Sequence, residues 1–191
     1  MVDNFFRKYN FPMVLSLSLL PLASIVGVPL YVYYYGIVWQ EPVMFVIFWF
    51  LAGTGITIGY HRLFAHRSFK AHPVVQFIAM LCGSAALQNT ILKWSSDHRI
   101  HHRKLDTEDD PYSIKKGFWH AHIGWIMFRN LTTESPLTNV NDLKIDPLLR
   151  WQHKWWAVIG ILVGFFIRCL SQPYQSEDDK FKDPWNWTTF G

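Results

Sequence analysis

Long uncharged apolar stretches alternate with shorter polar ones along this chain, and their lengths predict its elements. No charged side chain occurs between Lys8 and Glu41. The heart of that run, Met13 to Tyr35, suits a helix crossing a bilayer, which takes about 20 apolar residues. Pro21 and Pro29 are expected to kink it. A second uncharged run, Pro42 to Tyr60, predicts another membrane helix over about 43–60. The link between them has no Lys or Arg, whereas Arg7 and Lys8 flank one outer end and Arg62 and Arg67 the other. Positive charge concentrates on the cytosolic side of membrane proteins, so the pair reads as a hairpin with both ends cytosolic.

A third run, Ala71 to Leu92, is apolar but carries His72, Gln76, Ser84, Gln88 and Asn89. An interfacial or re-entrant helix over 72–92 fits these amides better than a clean span. Residues 93–154 are polar, with helix and loop signals and Asp-Pro breaks, and read as a cytosolic helical region. The last apolar run, Trp155 to Leu170, makes a helix of about 24 Å. That is short for a hydrocarbon layer of about 30 Å, though Arg168 could snorkel. Residues 171–191 form a polar, turn-rich tail. The basic residues ahead of the first long run read as an anchor rather than a cleaved signal. The expected fold class is therefore all-α: an integral membrane helical hairpin, an interfacial or re-entrant helix, and a cytosolic helical region.

Composition supports the membrane assignment, with 50% hydrophobic and only 17% charged residues. The net charge of +4 fits an anionic substrate or an anionic lipid face. The cations form no soluble nucleic-acid motif, so nucleic acid is set aside as a partner. Cys82 and Cys169 lie in separate apolar segments and read as small buried hydrophobes rather than a disulfide or metal pair.

The chemistry concentrates in histidine. "HRLFAH" places His61 and His66 five apart, and "HRIHH" contributes His98, His101 and His102. On an ideal α-helix the first pair would point about 140° apart, so they converge only if the helix ends or bends between them. Positions 98, 101 and 102 share one helix face. Nearby arginines raise the cost of protonation and keep these rings neutral, the form that binds metal. A single histidine is ordinarily a solvated surface residue, but five of the chain's nine fall into these two boxes. One shared centre requires residues 71–92 to begin and end on the same side. His72, His120, His122 and His153 are expected to be structural or supporting. Imidazole suits iron, copper, nickel and zinc, so the donor set leaves the metal open. Five imidazoles suggest more than one ion. Asp97, just before His98, is placed to accept a hydrogen bond from a ligand imidazole or from substrate. The acidic "LDTEDDPY" reads as a proline-terminated turn rather than a carboxylate metal site.

"TIGYHRLFAHRSFKAH", "QNTILKWSSDHRIHHRKLDTEDDPY" and "KKGFWHAHIGWIMF" resemble the membrane acyl-CoA delta-9 desaturases (stearoyl-CoA desaturases), and the resemblance runs from about Met13 to Leu170. It implies a fatty acid desaturase domain over 1–170 in the endoplasmic reticulum membrane. It also implies a di-iron enzyme that uses dioxygen and electrons from cytochrome b5 to insert a cis double bond into a saturated fatty acyl-CoA. The implied iron ligands are His61, His66, His98, His101 and His102, and the implied substrate contacts are Asn89, Asp97 and Arg129. Lys93, Arg99, Arg103 and Lys104 join Arg129 as cations able to draw in CoA phosphates, or they form a solvated face near anionic lipid. Ser96 and Asn130 stand where the family carries Arg and Lys, which predicts weaker headgroup binding. The family has a fourth membrane helix and a third histidine box beyond the matched segments. The chain is therefore expected to be incomplete, to hold its second iron poorly and to be inactive alone. The alternatives are a fatty acid hydroxylase of the same histidine-box class, or a non-catalytic truncated membrane protein that binds metal or a full-length partner.

Overall fold

A computed structural model describes residues 9–128 and 137–170, the last four by backbone alone. Arg129, Asn130 and the tail 171–191 lie outside the described residues. Helix α1, Phe11–Tyr35, starts with Pro12 in its first turn, where a missing N–H costs nothing. It ends at Gly36, whose φ of 72° requires a residue free to enter the left-handed region. The helix runs through Pro21 and Pro29 and buries none of its residues. Helix α2, Gln40–Ala65, is α-helical to Thr54 and continues from Gly55 as a π-helix. Both α1 and α2 are long and apolar enough to cross a membrane. Tyr31 donates to Glu41 Oε1 at 2.8 Å, tying the two helices near their connection.

Helix α3, Pro73–Ala85, is capped by His72, whose Nδ1 accepts from the Val74 amide. It runs antiparallel to α2, since Gly55 lies against Gly83 and Gly59 against Ala79. The approach at Gly55 is so close that a Cβ there would overlap the Gly83 backbone. Leu87 and Asn89, both with positive φ, reverse the chain. Helix α4, Ile91–Arg103, then returns, with Thr90 Oγ1 accepting from the Lys93 amide at 3.1 Å. Short turns follow: 3-10 turns at Ile114–Lys116 and Gly124–Met127 around helix α5, Phe118–His122, and another at Thr138–Val140 ahead of helix α6, Asn141–Lys144. The last helix, α7, spans Pro147–Leu170. It starts eight residues before the expected 155, because Asp146 Oδ1 accepts from the Leu148 amide at 2.8 Å and Pro147 opens the first turn. Its 24 residues make about 36 Å rather than 24 Å. Among the described residues there is no β-strand, only a single bridge between Tyr9 and Phe128. The fold is all-α, as the sequence predicts.

The core lies where α2's π segment, α3, α4 and the 140–149 region meet: Tyr60, Leu63, Phe64, Met80, Ile91, Leu92, Val140, Leu143 and Leu149. Fully burying one such side chain contributes about 1.5–3 kcal/mol. Buried polar side chains pack beside them, Gln152 and Ser84 among them. Gln152 is completely buried; its Nε2 donates to Tyr60 Oη at 2.9 Å and Ser84 Oγ at 3.2 Å, and its Oε1 accepts from the Ile91 amide at 3.1 Å. This side chain therefore fastens α7 to α2, α3 and α4.

Candidate metal centre

The π-helix answers the problem posed by His61 and His66. The His66 amide donates to the His61 carbonyl at 2.9 Å, an i→i+5 bond. A turn closed this way holds more residues than an α-turn, so a five-residue spacing returns nearly to the same face. The five-apart pair converges without the break that ideal α geometry would demand. Arg99 secures the end of this helix. Its Nε donates to the Ala65 carbonyl at 2.9 Å, and its terminal nitrogens meet both oxygens of Asp142 at 2.7 and 3.0 Å. A two-pronged ion pair of this kind fixes geometry as well as adding energy. It holds the Asp142 carboxyl below the usual carboxylate range, the Arg99 hydrogen bond being the largest cause.

Four imidazoles meet at their Nε2 atoms. His66 lies 3.1 Å from His61 and 3.0 Å from His98, and His102 lies 3.0 Å from His98. The four nitrogens all fall within 4.8 Å of one another. At a metal–nitrogen bond of about 2.1 Å, ligands at right angles sit about 3.0 Å apart and tetrahedral ones about 3.4 Å. The observed edges are of the length that one bound ion would require. His66 and His102 are exposed, so the cluster is open on one side.

Neighbouring residues orient the rings. His98 stacks on Trp94 with centroids 4.8 Å apart, and its Nδ1 lies 3.4 Å from the Tyr112 hydroxyl. That contact leaves Nε2 to face the centre, the arrangement by which supporting groups fix a ligand's tautomer. The His98 pKa is lowered to about 3, first by burial and then by the charges of His61, His102, His66 and His101. The His66 pKa is lowered by the same kinds of cause, burial first. Both rings are neutral at pH 7 with lone pairs available to metal.

The fifth expected ligand is placed differently. His101 stacks on Tyr112, and its Nδ1 meets Asp110 Oδ1 at 2.9 Å. Asp110 is fully buried and also accepts from the Asp106 and Tyr112 amides. His101 therefore lies outside the four-nitrogen group, with its Nε2 as the donor atom left over. Asn89 forms the α3–α4 turn, its Oδ1 accepting from the Thr90 amide and its carbonyl from Tyr60 Oη. Asp97 is buried and accepts from Lys93 Nζ on both oxygens at 2.7 Å. Arg129 lies outside the described residues. Two cations expected to attract phosphate are engaged inside the fold, Lys93 with Asp97 and Arg99 with Asp142. Ser96, also buried, donates to Asn139 Oδ1 at 2.6 Å. Among the remaining histidines, His72 caps α3, His120 Nε2 meets the Pro111 carbonyl, His153 Nδ1 meets Thr90 Oγ1, and His122 stacks on Phe118. Asp110, Tyr112, Asp142 and Gln152 were not singled out from sequence. Asp110 and Tyr112 could have been suspected from the Asp-Pro-Tyr that closes the turn after the second box, whereas nothing local marks Gln152.

An α-helical hairpin with two histidine boxes converging at one end defines a histidine-box membrane protein. No family model matches the chain. Individual curated proteins do. A "Probable acyl-CoA desaturase" of Schizosaccharomyces pombe is 34% identical over 88% of this chain and 34% of its own length. The "Stearoyl-CoA desaturase" of Bos taurus is 30% identical over 92% of the chain and 49% of its own length. An "sn-1 stearoyl-lipid 9-desaturase" of Anabaena variabilis is 35% identical over 65% of the chain and 46% of its own length. By sequence the chain is similar to curated acyl-CoA and stearoyl-CoA delta-9 desaturases. It spans about a third to a half of the length of the curated relatives it matches.

Proposed function

We propose that the chain acts in oxygen-dependent delta-9 desaturation of a saturated fatty acyl-CoA, with iron in the histidine cluster and cytochrome b5 as electron donor. The setting is the endoplasmic reticulum membrane with the histidine end cytosolic. The observation that carries this reading is the meeting of four imidazole nitrogens from two boxes on two different helices. Bound iron, with dioxygen, supplies the oxidising power that an unactivated methylene requires. The chain's own residues hold and orient. His61, His66, His98 and His102 form one ion's ligand set. Trp94 and Tyr112 fix the His98 ring, and Arg99 with Asp142 fixes the end of the π-helix. Lys93 holds the Asp97 carboxylate in one orientation, and Asn89, Asp97 and Arg129 serve as substrate contacts. Of the five box histidines, His101, braced by Asp110, is the one left for a second ion. One imidazole holds an ion weakly, so turnover by this chain by itself is expected to be undetectable.

A second reading concerns the acyl carrier. Lys93 and Arg99 are consumed by internal ion pairs, and Ser96 is turned to Asn139. With these two cations turned inward, an acyl chain carried on a membrane lipid, the substrate class named for the Anabaena relative, is the second reading.

Metal analysis of the purified chain tests the reading. About one firmly bound ion per chain is expected, and His61→Ala with His98→Ala should abolish it. Two tightly held ions, or none, would contradict it. Stearoyl-CoA and sn-1-stearoyl phospholipid, each supplied with reduced cytochrome b5, separate the carriers, and an alkene or alcohol product separates desaturase from hydroxylase.

A further inference from the structure

The segment after the second histidine box carries an apolar surface that the metal centre does not use. Ile114 is 55% exposed, Phe118 62% and Trp119 74%. Gly117, with φ of 101°, makes the turn that brings the aromatic pair next to the 3-10 turn holding Ile114, Lys115 and Lys116. Aromatic side chains standing in water at this density mark a contact surface. Trp beside Lys is also the composition of a membrane interface. No acidic residue occurs from Pro111 to Phe128.

Position sets the depth of this surface. The Asn10 amide donates to the Met127 carbonyl at 2.7 Å, and Tyr9 pairs with Phe128, so this segment is fastened to the start of α1. The chain runs from helix α5 straight into the 3-10 turn, with the position of a Cβ on Gly124 only 3.1 Å from the Trp119 carbonyl. Trp119 is thus a short 3-10 turn away from the residue bonded to the start of α1. The headgroup layer on each side is about 5–8 Å deep, comparable with the reach of an indole ring.

We propose that Ile114, Phe118 and Trp119 insert into the phospholipid interface and form a second attachment of the histidine-bearing end to the membrane. The proposal rests on α1 being a membrane span. Lys116 steadies the anchor, its Nζ donating to the Glu108 carbonyl at 2.6 Å. The anchor fixes the height of the open face of the histidine cluster above the lipid.

Nitroxide labels test it on the full chain in phosphatidylcholine liposomes, with Cys82→Ala and Cys169→Ala as background. Labels go on Phe118→Cys and Trp119→Cys, with Ile25→Cys as the lipid reference and Glu108→Cys as the water reference. Relaxation by oxygen in excess of relaxation by nickel–EDDA, approaching the Ile25 ratio, is expected at both positions. A ratio equal to that of Glu108 would place the rings in water and overturn the proposal. Access to neither relaxant would place them under protein and equally overturn it. A water-like signal at Ile25 would instead reject the span, which separates failure of that reading from failure of the anchor. An independent measurement uses the unlabelled chain. Trp119→Gln should reduce the part of the fluorescence quenched by lipids brominated near the headgroup, and unchanged quenching would contradict the anchor.

Discussion

At the scale of single residues, Arg99 ties the helix of the second box to the end of the first. Its guanidinium joins the last carbonyl of the π-helix to Asp142, on an element distant in sequence. Arg99→Lys keeps the charge but loses the fork, so it should behave like a disruption rather than a conservative change. A fall of about 10–100-fold in metal affinity, the usual cost of losing a supporting contact, is expected by titration. Unchanged affinity would show that the π-helix holds its shape without Arg99. The His98 ring gives a pH prediction for the metal-free chain. Its folded pKa of about 3 lies below its ordinary 6.5. The unfolded chain therefore takes up a proton first as pH falls, and stability present above 6.5 is lost progressively down to about 3. The melting temperature in detergent should decline across that window, and His98→Gln should flatten the decline.

At the scale of elements, the close crossing of α2 and α3 is the feature most exposed to test. Gly55 and Gly83 let the two backbones touch, and a Cβ on Gly83 would run into the Tyr60 ring. Gly55→Ala should cost about 1–3 kcal/mol or more, as overpacking does, whereas Gly53→Ala, with open space around it, should be neutral. Thermal unfolding of the two variants side by side measures the difference. The helices themselves were legible, because α1 and α2 are written as uncharged runs of spanning length. The early start of α7 was less so, since Arg150, His153 and Lys154 break its apolar pattern while Asp146 and Pro147 supply a helix start that only the cap geometry reveals. The π-helix was not legible: no local residue preference announces i→i+5 bonding, and only the awkward five-residue spacing hinted that ideal α geometry would fail.

At the scale of the whole molecule, the site is where separate segments lock together. Four of the five box histidines bring their imidazole nitrogens together, because spacing on each helix and packing between helices agree. His101 departs because Asp110, buried at the closing turn, captures its Nδ1. That partner lies outside any box pattern. Gln152 shows the same limit, since its three contacts come from three helices remote in sequence. Gln152→Leu would strand the Ile91 amide, a loss of about 1–3 kcal/mol, and should loosen α4 against α7 in hydrogen exchange. The central claim is that residues 61, 66, 98 and 102 bind one ion together. X-ray absorption of the chain loaded with iron or cobalt measures this directly through the number of imidazoles around the metal. The account predicts about four, with further oxygen ligands beyond a tetrahedral set, falling when His61 or His102 is replaced by Ala. A first sphere with one imidazole or none, unchanged by those substitutions, would contradict it.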